Sequence, residues 1–125
     1  MSTENACIVT LDVTNALVRM ANMKRLYIDL VHEFFKELTT LGAEFDRLLA
    51  ANDWPAAQRL MHTLKGTAAT LGATQLAALA AQLESCCKDP QQQELVRQQV
   101  AALNALLQST HSAFIALLPT LQEAP

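Results

Sequence analysis

The sequence predicts an all-α fold: an antiparallel up-down four-helix bundle with a short extra N-terminal helix. Three observations carry that expectation. Aromatic residues make up only 5% of the chain and there are only 3 glycines, while Ala, Leu and Gln, all compatible with helix, fill much of a chain that is 51% hydrophobic. Apolar positions recur at alternating spacings of three and four, the period of a helix with one buried face. The stretches between these periodic segments are short, so successive helices have little choice but to pack against each other. At 125 residues the chain fits one domain with one core, expected from about 11 to 118 with tails at 1–10 and 119–125.

The elements follow in order. A short helix is expected from Asp12 to Met20, with Asp12 as its N-cap. Asn22 is placed to cap the next helix. There Tyr27, Val31, Phe34, Leu38, Leu41, Phe45 and Leu48 form one apolar stripe, and Gly42 is a point where the helix can bend. Asn52-Asp53-Trp54-Pro55 reads as a stop and restart. Asp53 suits the N-cap, Pro55 the first turn, where a missing N–H costs nothing, and Trp54 packs at the helix start.

That third helix is expected to end at Leu71, where Gly72 takes a left-handed conformation. Thr74 is expected to cap a fourth, burying Leu76, Leu79, Ala80, Leu83 and Cys87 before Asp89-Pro90 ends it. The last helix carries Val96, Val100, Leu103, Leu107, Thr110, Phe114 and Leu117 and is expected to stop at Pro119.

A net charge of −3 and the lack of any Lys/Arg cluster argue against binding nucleic acid or an anionic membrane. Met1-Ser2-Thr3-Glu4-Asn5 lacks the features of a signal peptide, and polar residues interrupt the apolar stretches. A cytoplasmic monomer without membrane contact is the expectation. Cys7, Cys86 and Cys87 are an odd set with one adjacent pair, which is no disulfide framework, and they lack the spacing of metal ligands. They read as small buried hydrophobes, and no bound metal or cofactor is expected.

His62 is the informative residue. On a helical wheel Leu60, Leu64, Ala68 and Leu71 share one side, with Ala57 and Met61 at its edge, and His62 points about 150° from the centre of that stripe. Gly66 lies one turn on, nearly in line, and Ala69 extends a row of small residues; Lys65 is on the flank. A glycine inside a helix costs about 1 kcal/mol relative to alanine, and here it opens the surface beside the imidazole. Imidazole is partly neutral near pH 7 and can attack without a dedicated base, while a lysine can neutralise a phosphoryl oxygen. This arrangement suits phosphoryl acceptance from a macromolecular donor. His32 and His111 lack such neighbours and read as ordinary surface or core histidines.

His62-Thr63-Leu64-Lys65-Gly66-Thr67-Ala68 resembles the HxLKGxA signature of histidine-phosphotransfer domains. The resemblance continues through Leu71-Gly72-Ala73, Leu76 and Leu83-Glu84, takes in Phe34-Phe35 and Asn52-Asp53-Trp54 upstream, and covers about Leu11 to Lys88. It implies a carrier in a two-component phosphorelay. His62 is then the phosphoacceptor, taking the group from a receiver-domain aspartyl phosphate and passing it to another receiver's aspartate. Lys65 stabilises the phosphoryl group, Gly66 gives access, and Gln58, Arg59 and Ala69 belong to the docking surface. Glu84 stands where the family often has a polar residue near the phosphohistidine, although a carboxylate repels a phosphoryl group. Mg²⁺ is expected from the partner receiver.

The resemblance implies no ATP-dependent kinase activity, and no Gly-rich phosphate loop is present. It fits a stand-alone carrier and a module of a hybrid sensor histidine kinase equally. The competing function is a helical adaptor that binds receiver or kinase domains without carrying phosphate. A zinc hydrolase built on His62 and the cysteines is a distant third.

Overall fold

A computed structural model describes residues 9–123, and these form helices: α1 (Val13–Arg19), α2 (Lys24–Ala50), α3 (Trp54–Leu71), α4 (Thr74–Cys87), α5 (Gln93–Gln98) and α6 (Val100–Glu123). A 3-10 turn, Pro90–Gln92, leads into α5. Among the described residues there is no strand, only an isolated bridge between Leu11 and Ala73. Cys7 and the segment Met1–Asn5 lie outside the described residues.

α2 packs on α3 and α6, and α4 packs on the same two helices, so the four long helices share one core. All seven residues of the α2 stripe are buried, from Tyr27 to Leu48. Their alternating spacing keeps one side of a helix inward over its whole length. Phe34 meets Phe114 of α6 edge-on, with ring centroids 6.1 Å apart.

The caps at Asp12 and Asp53 form as the sequence predicts: Asp12 accepts from the Asn15 N–H and Asp53 from the Ala56 N–H. Two other caps do not. Asn22 takes a left-handed conformation (φ 59°) beside Ala21 (φ 55°), turning the chain between α1 and α2, and Met23 occupies the cap position without a side-chain bond. Asn22 instead donates its N–H to Leu17 O at 2.7 Å. Thr74 is the first residue of α4 and Ala73 the cap, because Ala73 is held in the bridge to Leu11.

Gly42 leaves α2 unbroken and lies against the Asn104 side chain of α6, into which a Cβ would project. The buried face of α3 is rotated from the expected one: Ala57 and Met61 are fully buried and Leu60 only half-buried. The reason is that Ala57, Met61, Leu64, Ala68 and Leu71 form the better alternating series. On α4, Leu79 is half-buried while Glu84 is buried.

The last predicted helix is two helices, broken at Gln99, and Pro119 does not stop it. α6 continues through the proline because buried Leu118 and half-buried Leu117 and Leu121 hold the final turns on the core. Arg97 of α5 donates to Leu49 O and Asn52 Oδ1 and lies 5.3 Å over the Trp54 ring, tying α5 to the α2–α3 turn. From Val100 to Gln122, α6 is by length and composition apolar enough to cross a membrane, contrary to the sequence reading. Its row of Leu103, Leu107, Thr110, Phe114 and Leu118 is buried in the bundle.

Candidate functional site

α3 is fixed at both ends. Asp53 and Pro55 set its start. At its far end Gly72 adopts φ 88° and ψ 10°, and the terminal carbonyls are all taken. Ala73 N–H donates to Ala68 O at 2.8 Å; Arg19 of α1 donates to Ala69 O at 2.7 Å and Thr70 O at 3.2 Å. The Tyr27 hydroxyl of α2 donates to Leu71 O at 2.7 Å. A side chain in the middle of α3 therefore sits on a firm mount.

His62 is that side chain, and it is 66% exposed. A Cβ placed on Gly66 meets nothing within 4 Å, so the glycine faces open space rather than a packed helix. Arg59 and Ala69 are exposed and Gln58 is half-buried. Their positions in sequence put all of them on the same outer side of α3 as His62.

Packing of α4 against α3 brings in Glu84. Its Oε2 lies 2.8 Å from His62 Nδ1 and its Oε1 lies 2.7 Å from Lys65 Nζ, so one carboxylate bridges both residues. The side chain of Glu84 is only 9% exposed. Hydrogen bonding from Lys65, then from His62, holds its carboxyl below the usual range against the opposing effect of burial. An ionised carboxylate only accepts, so His62 Nδ1 carries the hydrogen and donates it. A neutral imidazole in that tautomer keeps its free lone pair on Nε2.

Lys65 is consequently not the free cation the sequence suggests, since it is committed to Glu84 and only 38% exposed. Glu84 is equally not an uncompensated negative charge beside the imidazole. No spacing rule joins Glu84 to His62; only the α3–α4 contact does.

Sequence reasoning also missed an open groove of about 570 Å³ between α2 and α3, which runs alongside His62 and Gly66. Its α2 wall is Leu30, Glu33, Phe34 and Glu37, which follow one another at helical spacing beside the buried stripe. That adjacency was the available signal. Elsewhere His32 and His111 pack edge-on against Phe35, with centroids 5.6 Å and 4.7 Å away. Cys86 and Cys87 are free thiols, and burial followed by the neighbouring Cys86 pushes Cys87 up to about 11. Among the described residues no group of three His, Cys, Asp or Glu is placed to hold a metal ion.

The family model described as Hpt domain matches residues 29–113, a span that contains His62, Lys65, Gly66 and Glu84. No curated protein and no solved structure matches the chain.

Proposed function

The chain belongs to the Hpt domain family, and from that premise we propose that His62 carries a phosphoryl group between receiver domains. Hpt domains serve histidine phosphotransfer in phosphorelays and interact with response-regulator receivers. The observation that carries the assignment to this residue is the exposed imidazole whose Nδ1 is engaged by Glu84, which leaves Nε2 as the nucleophile.

In the forward step the Nε2 lone pair attacks phosphorus of a receiver's aspartyl phosphate. The N–P bond forms, the P–O bond to the aspartyl oxygen breaks, and the carboxylate leaves with the electron pair. Nδ1 keeps its hydrogen, so the phosphorylated ring becomes cationic and Glu84 faces it as a counter-charge. The reverse sequence delivers the group to a second receiver's aspartate. Lys65 offsets Glu84 in the resting chain and lies one helical turn from His62, where it can also stabilise the phosphoryl group. Gly66, Gln58, Arg59 and Ala69 form the surface that meets the receiver.

Mg²⁺ is expected from the receiver's acidic pocket; the carboxylate that contacts His62 has both oxygens engaged, by His62 and by Lys65. The chain needs no ATP-dependent kinase activity for this exchange. We read its four long helices as an antiparallel up-down bundle, supported by the short connections Ala51–Asp53 and Gly72–Ala73. A cytoplasmic monomer, alone or as a module of a hybrid sensor histidine kinase, fits this role.

The test is transfer from phosphorylated receivers to the full chain, followed by detection of acid-labile phosphohistidine. Wild type is expected to take label and His62→Gln to take none. Label that survives in His62→Gln, or none on wild type, leaves the adaptor role instead.

A further inference from the structure

The α2 wall of the groove beside His62 is half apolar and half acidic, Leu30 and Phe34 alternating with Glu33 and Glu37. Leu30 exposes 37% of its surface at one end of the α2 wall, and Glu33 and Glu37 follow at helical spacing. The α3 wall has no acidic or basic residue besides the imidazole: His62, Thr63, Gly66, Thr67, Thr70 and Leu71 line it. Its two lower hydroxyls are satisfied locally, Thr67 donating to Thr63 O and Thr70 to Gly66 O.

The two carboxylates differ in their partners. Glu33 has Lys36 at 3.8 Å, a loose surface pair in which both side chains are more than 70% exposed. Glu37 is half-buried and no cation pairs with it among the described residues; burial first, and then Glu33, push its carboxyl up. The free protein thus keeps a partly desolvated acid that disfavours its own charged state. A cation brought in by a partner relieves that cost. His62 lines this groove, so a macromolecule that meets its imidazole comes up against the groove as well.

We propose that the α2–α3 groove selects receivers whose docking surface presents an apolar side chain to Leu30 and a lysine or arginine to Glu37 and Glu33. The inference rests on His62 being the phosphoacceptor met by a receiver, and it adds what that receiver must look like. Glu33 and Glu37 are docking residues; they do not touch the reacting atoms. Their contribution is to encounter and residence, not to the bond-making step.

The experiment uses the full chain and whichever phosphorylated receiver labels wild type fastest from a panel. Glu33→Lys/Glu37→Lys is expected to lower kcat/KM for transfer about tenfold or more at low salt, through KM, with the rate at saturation unchanged. The neutral Glu37→Gln should lose less, flatten the salt dependence of KM, and unfold at a slightly higher temperature than wild type at pH 7. Unchanged KM in the charge-reversed protein, with labelling of His62 intact, overturns the groove inference and leaves the carrier role standing. No receiver labelling wild-type His62 overturns both. A fall in the saturated rate with KM unchanged also refutes it, since that places the carboxylates in the chemistry.

Discussion

Glu84 gives His62 its chemical direction. A carboxylate held in the ionised form by Lys65 fixes the hydrogen on Nδ1 and leaves the Nε2 lone pair free, which is what the proposed carrier role needs. Because the two contacts share one carboxylate, their effects on transfer should not add. Lys65→Ala and Glu84→Ala are each expected to slow receiver-to-His62 transfer by about tenfold or more, and the double variant to be much less impaired than the product of the two. Rapid-quench rates at a fixed receiver concentration check this; independent, multiplicative losses refute the shared bridge. Far-UV circular dichroism of Lys65→Ala should match wild type, since α3 is held by its caps and its buried apolar face rather than by that side chain.

At the scale of the element, α3 is a helix whose ends are clamped and whose middle is left bare. Its two glycines have opposite physics. Gly66 has helical dihedrals and open space around it, so Gly66→Ala should raise stability by about 1 kcal/mol. Gly72 is left-handed and packed against the Asp12 backbone, so Gly72→Ala should lower stability by about 1–2 kcal/mol or more. Denaturant unfolding of the two variants reads the difference, and stabilisation by both would contradict the described C-terminal cap. Gly66→Leu should keep the stability while slowing transfer, because the lost quantity is access.

The whole molecule should weaken in alkali. Burial pushes the Tyr27 hydroxyl to about 12 and the Cys87 thiol to about 11, above their unfolded values. A group whose folded pKa is raised contributes stability that is full below the unfolded pKa and lost as pH rises through the folded one. Unfolding temperature should therefore fall from about pH 9 upward, and Tyr27→Phe should remove part of that slope along with the bond to Leu71 O. A flat profile to pH 11 would contradict the burial of both groups. Glu84, held low, acts at the other end: its contribution is present above the unfolded carboxylate pKa and lost as pH falls through its own.

Much of this architecture is local and was legible in the residues. The α2 stripe, the Asp53 cap, the Gly72 stop and the outward placement of His62 and Gly66, with Lys65 on the flank, all follow from helical periodicity and backbone preference. Other features were decided by packing. Asn22 and Thr74 lost their capping roles to the turn and the Leu11–Ala73 bridge, and Pro119 was carried inside α6 by the core beneath it. The pairing of Glu84 with His62 and Lys65 joins α3 to α4, and the groove with its two carboxylates joins α2 to α3. Sequence spacing fixes which side of a helix a residue occupies. Only the tertiary fold, by choosing which helices touch and at what rotation, decides what that residue meets.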